Sequence, residues 1–222
     1  MASDVPALVI FDCDGVLVDS EPISNAILAR VLTRHGLALS PQEALREFKG
    51  MLMRDLIAKA EQQLGAPLPA EFVDEFESER EVELRAHLTA IPGARLAVER
   101  VRQAGIKACV ASQGKLSKTE LTLSLCGLRD HFADDELFSA HSVPRGKPHP
   151  DLFLHAARTM GAPPAACVVV EDTSLGVRAA LSAGMRPLWY DAHANGDRLD
   201  GASVERIADL AQVAEHLGIE AA

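Results

Sequence analysis

Two aspartates one residue apart, Asp12 and Asp14, follow the apolar run Ala7-Leu-Val-Ile-Phe11 and precede Gly15. The run is rich in strand-forming side chains and reads as a buried strand that delivers two carboxylates to the carboxyl end of a sheet. In an extended chain, period-two alternation sends Asp12 and Asp14 to one side and Cys13 to the other. Adjacent carboxylates repel, so they need a cation, a shared proton or full hydration. The same residues also fit a solvated Asp-Gly turn. An EF-hand loop is excluded, because its glycine falls two residues later and a helix, not a strand, precedes it.

Three more strand ends carry similar chemistry. Residues 106–112 read as a strand ending in Ser112-Gln113-Gly114-Lys115, a hydroxyl beside a small loop whose N–H groups can face an anion. A short strand at 137–139 is followed by Gly146-Lys147-Pro148, a cation in a stiff turn, and a strand at 167–170 ends in Glu171-Asp172. Taken singly, Ser112 or the Glu171-Asp172 pair fits a helix cap, and Lys147 fits a solvated surface lysine. In register on one sheet edge they supply an acidic metal site, a hydroxyl and a fixed cation, the set that a bound phosphoryl group needs.

The elements that must position these groups follow from periodicity. Helical spacing over 20–36, 40–50, 53–65 and 69–88 gives four helices with no strand between them. Ser20 is the expected cap of the first, and Ser40 with Pro41 opens the second. From residue 94 onward, helices alternate with the strands at 106–112, 137–139, 167–170, 187–190 and 204–207. Such alternation predicts an α/β fold, a doubly wound parallel sheet covered on both faces. The first strand belongs to that sheet. The expected core is therefore 1–17 plus 89–222, with 18–88 as an inserted α-helical domain.

Composition narrows the function classes. The chain has 222 residues, 48% hydrophobic and only 4% aromatic, so aliphatic side chains must build the core. A net charge of −10 argues against a nucleic-acid or anionic-membrane partner. No segment approaches about 18 uninterrupted apolar residues, and no basic region precedes the first apolar run, which argues against a membrane span and a secretory signal. Cys13, Cys109, Cys126 and Cys167 form no Cys-x-x-Cys, and the eight histidines show no metal-ligand spacing. Reduced thiols in a cytoplasmic protein are the expectation.

Four segments together resemble the haloacid dehalogenase superfamily, in the branch with a helical cap inserted after the first strand of a Rossmann-like core. They are Phe11-Asp-Cys-Asp-Gly-Val-Leu-Val-Asp-Ser-Glu21, Val110-Ala-Ser112, Gly146-Lys-Pro-His-Pro-Asp151 and Glu171-Asp-Thr-Ser-Leu-Gly176, the last followed by Ala179-Ala180 and Ala183-Gly184-Met185. The resemblance implies Asp12 as the nucleophile that takes the phosphoryl group as an aspartyl phosphate, and Asp14 as general acid and then base. It implies Mg²⁺ held by Asp12, the backbone carbonyl of Asp14 and Asp172, with Glu171 either direct or through water, and Ser112, Gln113 and Lys147 on the phosphoryl oxygens. Dehalogenases of the family normally lack the second aspartate, so Asp14 argues against that activity.

Within the superfamily the chain resembles the branch of β-phosphoglucomutases and sugar-phosphate phosphatases. Mutases of that type place a histidine early in the first cap helix, where this chain has Ser24. The resemblance therefore implies a phosphatase acting on a small phosphomonoester, a sugar or sugar-acid phosphate such as 6-phosphogluconate. The alternatives are a phosphosugar mutase and a non-catalytic sugar-phosphate-binding regulator on the same fold. The stretch 48–54 resembles the specificity loop of the cap, which makes Lys49, Gly50 and Arg54, together with Lys115, candidate substrate residues. A monomer or weak homodimer is expected, with a small phosphorylated metabolite as its partner.

Overall fold

Leu8–Phe11 forms strand β1, and all four of its side chains are fully buried. A strand without polar alternation must be covered on both faces, as in a helix-flanked parallel sheet. These features come from a computed structural model that describes residues 5–192 and 204–219. The chain divides into two compact units, Met1–Val18 with Ala90–Ala222, and Asp19–Thr89.

The second unit is helical: α1 (Glu21–Arg34), α2 (Pro41–Phe48), α3 (Met53–Leu64) and α4 (Phe72–His87). It has its own apolar core, in which Leu28, Val31 and Leu32 of α1 join Phe48, Leu56, Phe72 and Phe76. The N–H of Asp19 donates to the carbonyl of Thr89 at 2.9 Å, tying the ends of the unit together. Ser40 caps α2 in a full capping box with Glu43. Ser20 does not cap α1. Its backbone is already helical (φ −87°, ψ −15°), and its side chain makes no cap hydrogen bond. A cap needs an extended residue there, and the turn has started one position too early.

The first unit holds the sheet. Its later elements are α5 (Ala94–Gln103), β2 (Lys107–Ser112), α6 (Leu116–Leu125), β3 (Leu137–Ser139) and α7 (Asp151–Thr159), followed by β4 (Cys167–Glu171), α8 (Ser174–Ser182), β5 (Arg186–Tyr190), β6 (Glu205–Ile207) and α9 (Gln212–His216). The sheet is parallel throughout, in the order β3-β2-β1-β4-β5-β6. The doubly wound α/β architecture expected from the sequence is present.

Strand order decides where the chemistry sits. From β1 the chain winds outward through β2 and β3, then returns to the other side of β1 with β4 and winds away through β5 and β6. The order reverses at β1, and the crevice at such a switch point is where open α/β sheets bind ligands. Asp12 and Asp14 leave β1 at that place, with Ser112 ending β2 on one side and Glu171 ending β4 on the other. No helix among the described residues is long and apolar enough to cross a membrane.

Candidate active site

Asp12 continues the ladder past the end of β1, its N–H donating to the carbonyl of Val170 at 2.9 Å. Since Phe11 pairs with Val170, Asp12 falls in step with Glu171 at the end of β4. Lys147 enters from the segment between β3 and α7. Its ammonium pairs with Asp12 and donates to Glu171 Oε1 at 2.7 Å, and only 2% of its side chain is exposed. The Phe153 ring lies under the ammonium, 5.1 Å from Nζ to its centre. Burial alone would depress this lysine; the Asp12 and Glu171 carboxylates overcome it and hold it above the usual lysine range. Lys147 is not a solvated surface lysine.

Glu171 is held on both oxygens. Its Oε2 accepts from the Thr173 N–H at 2.7 Å and from the Thr173 hydroxyl at 2.8 Å. The same hydroxyl accepts from the Gly176 N–H at 3.0 Å and caps α8. The cap of this helix is therefore Thr173, which leaves Glu171 and Asp172 for the crevice. A threonine at this place fits a helix opener by its type alone; its second bond depends on how the turn folds back on β4. A Cβ on Gly176 would stand 1.9 Å from the Glu171 carboxyl carbon. Gly176→Ala is expected to destabilise by about 1–3 kcal/mol and to weaken divalent-cation binding, measured by denaturant unfolding and by titration calorimetry.

Asp12, Glu171 and Asp172 each offer a carboxylate oxygen, all within 4.8 Å of one another. Gly15 makes room for this group: its φ is +82°, and a Cβ there would stand 2.5 Å from Asp172 Oδ2. Lys147 bridges two of the three carboxylates, Asp12 and Glu171, and the third, Asp172, stands beside them. An all-oxygen donor set suits a hard cation. The residues fit a metal.

Burial pushes the Asp12 carboxyl up to about 7; the Lys147 ammonium opposes the rise, while Glu171 and Asp14 add to it. Without a cation, folding therefore takes up a proton at Asp12 between about 3.8 and about 7. That contribution to stability is complete below the lower value and is lost as pH rises through the upper one. A cation needs the ionised carboxylate, so it must displace this proton. Apparent divalent-cation affinity is expected to rise up to about tenfold per pH unit below about 7 and to level off above it. Titration calorimetry in buffers of different ionisation enthalpy reads the released proton directly.

Asp14 lies in the turn after β1 and has its own cation. The Lys118 ammonium, from the first turn of α6, pairs with Asp14 Oδ1. The Ser112 hydroxyl stands 3.5 Å from Asp14 Oδ2 and accepts from the Gly114 N–H at 3.0 Å. Ser112 is fully buried and does not cap α6, where Lys115 occupies the N-cap position without a side-chain cap bond. Lys118 was not among the sequence candidates. Its signal was position, a lysine one turn into the helix that follows the Ser112 loop.

Gln113 braces the Lys147 loop: its Oε1 accepts from the Lys147 N–H at 3.0 Å, and its Nε2 donates to the Lys147 carbonyl at 3.4 Å. Asp12, Asp14, Ser112, Gln113, Lys147, Glu171 and Asp172 are thus linked around one crevice of the first unit. Lys49, Gly50 and Arg54 belong to the helical unit. There Lys49 pairs with Glu21 at 3.1 Å, Arg54 with Asp55 at 3.4 Å, and Gly50 turns the chain with φ +73°.

The profile of haloacid dehalogenase-like hydrolases matches residues 6–184, and the chain belongs to that family. It is 30% identical over 210 residues to 6-phosphogluconate phosphatase of Escherichia coli (strain K12), covering 93% of this chain and 92% of the relative. It is 32% identical over 193 residues to hexitol phosphatase A of the same organism, covering 86% of each. A HAD family hydrolase from Deinococcus radiodurans R1, solved with bound phosphate and sodium, matches at a TM-score of 0.74 and 31% identity, over 97% of this chain and 98% of that one. The enzyme class is that of the phosphoric monoester hydrolases.

Proposed function

We propose that this hydrolase releases inorganic phosphate from a small sugar or sugar-acid phosphate, with Mg²⁺, through an aspartyl phosphate on Asp12. The reading rests above all on the buried Lys147 ammonium that bridges Asp12 and Glu171 beside Asp172. An Asp12 carboxylate oxygen bonds to phosphorus while the ester P–O bond breaks, and Asp14 gives its proton to the leaving oxygen. Water then attacks the acyl phosphate, Asp14 takes a proton from it, and the P–O bond to Asp12 breaks. Ser112 and Lys147 hold the phosphoryl oxygens, with Gln113 fixing the Lys147 loop. Asp12, the Asp14 carbonyl, Asp172 and Glu171 would hold Mg²⁺, which when bound neutralises charge on the phosphoryl group.

Magnitude supports sharing the task. Hydrolysis of phosphate monoesters needs up to about 10²¹-fold acceleration, and general acid catalysis supplies roughly 10²–10⁴ of it. Most must come from placement and charge neutralisation away from water. In this reading 18–88 acts as a cap on the core, 1–17 and 89–222. Lys49, Gly50, Arg54 and Lys115 then meet the remote end of the substrate. The names of the two E. coli relatives favour a phosphorylated sugar acid or polyol.

The test is phosphate release from a panel of sugar, sugar-acid, polyol and nucleotide monophosphates, with and without Mg²⁺. Mg²⁺-dependent release that is fastest from sugar-acid or polyol phosphates is expected. Phosphate migration on a hexose phosphate with little release would mark a mutase instead.

A further inference from the structure

We propose that Lys118 is a positioning residue for this reaction, holding the Asp14 carboxylate in the single orientation that proton transfer requires. The proposal rests on the acid–base reading of Asp14 given above.

Lys118 stands where a lysine costs stability. The first turn of a helix carries partial positive charge, and a cation there is unfavourable by about 0.3–1 kcal/mol. Among the residues of that turn no acidic side chain offsets it. A local rule broken without local gain points to a function served elsewhere. Here the gain is across space: the ammonium meets Asp14, 104 positions away in sequence, and only 13% of the lysine side chain is exposed.

The surroundings are shaped for this contact. A Cβ on Gly114 would stand 3.2 Å from Lys118 Cδ, tighter than ordinary contact, and 3.4 Å from Ser112 Oγ, at the limit of it. The glycine leaves a slot through which the lysine stem reaches Asp14. One Asp14 oxygen is then tied to α6, and the other faces the Ser112 hydroxyl of β2. Two anchors from different elements restrict a carboxylate that sits on a turn and would otherwise sample several rotamers. Lys147 and Lys118 divide the work. The first serves Asp12 and Glu171, the second Asp14.

A double-mutant cycle tests this with p-nitrophenyl phosphate and Mg²⁺ as the probe. Lys118→Met and Lys118→Arg are compared in the native and Asp14→Asn backgrounds. In the native background Lys118→Met is expected to lower kcat by about 10–100-fold with KM within about twofold, since misplacing a catalytic group by about 1 Å costs up to about 10²-fold. Lys118→Arg restores most of the loss. In the Asp14→Asn background Lys118→Met changes kcat by less than about twofold, because the group it positions is gone.

Equal losses in both backgrounds, a change in KM alone, or unchanged kcat would each overturn the proposal. Thermal unfolding checks that the fold survives, and Lys118→Gln replaces the methionine variant if it does not. If Asp14→Asn alone keeps native turnover, the acid–base reading has failed, and that result is visible before any Lys118 variant is measured.

Discussion

Asp12→Asn is expected to give a folded protein whose phosphatase turnover is lower by about 10⁴-fold or more, as when the nucleophile of a covalent mechanism is removed. The substitution keeps shape and volume, so the β1 end and the bond from its N–H to Val170 should persist. The amide, however, cannot carry the phosphoryl group or serve as an anionic oxygen ligand. Its effect on stability should run the other way. Asp12 is a buried carboxylate whose ionisation is resisted by burial and by the neighbouring Glu171 and Asp14. Above about pH 7 the metal-free native protein must hold that charge, and the asparagine variant need not. Thermal unfolding in EDTA at about pH 8 should therefore show a melting temperature equal to or above that of the native protein. A variant that is both inactive and unfolded would not count in favour of a nucleophile.

Lys147→Met should be the most damaging change to stability in the site. It leaves Asp12 and Glu171 buried side by side without the ammonium that now touches both. Removing one partner of a buried ion pair costs about 3–5 kcal/mol, because the uncompensated charge stays behind. Part of that cost should disappear as pH falls toward about 7, because without the ammonium Asp12 takes up its proton at higher pH than in the native protein, and part on adding Mg²⁺. Urea unfolding in EDTA and in Mg²⁺ separates these contributions. Turnover should also fall, by about 10²–10³-fold, the usual effect of losing one preorganised group that stabilises transition-state charge. Equal stability of native and variant proteins in EDTA would mean that Lys147 carries no charge balance.

Much of the core was legible because its signals are local. The unbroken apolar runs of β1 and β4 marked buried parallel strands, and the polar residues at their ends marked the site. What local pattern cannot show is strand order. That β1 lies between β2 and β4, so that Asp12 meets Glu171 159 positions along the chain, depends on how successive crossovers order the strands.

The misses have similar causes. Lys118 depends on helix phase and on the slot left by Gly114, and Thr173 on a turn that returns its hydroxyl to Glu171. Ser20 has the right side chain for a cap but the wrong backbone, a matter of where α1 begins. The bonds from the Gln113 amide to the Lys147 main chain were likewise out of reach of local pattern, a pairing of residues 34 positions apart.

The central claim is that phosphorus bonds to Asp12 during turnover. Asp14→Asn should slow the hydrolysis of that bond, so the variant, mixed with Mg²⁺ and an aryl phosphate and quenched in acid, is the species to examine by peptide mapping. A phosphoryl group on the peptide containing Asp12, absent when Asp12 is also asparagine, is the result expected. Phosphate released by this variant with no phosphoryl group on the protein, or with the group on another residue, would contradict the account.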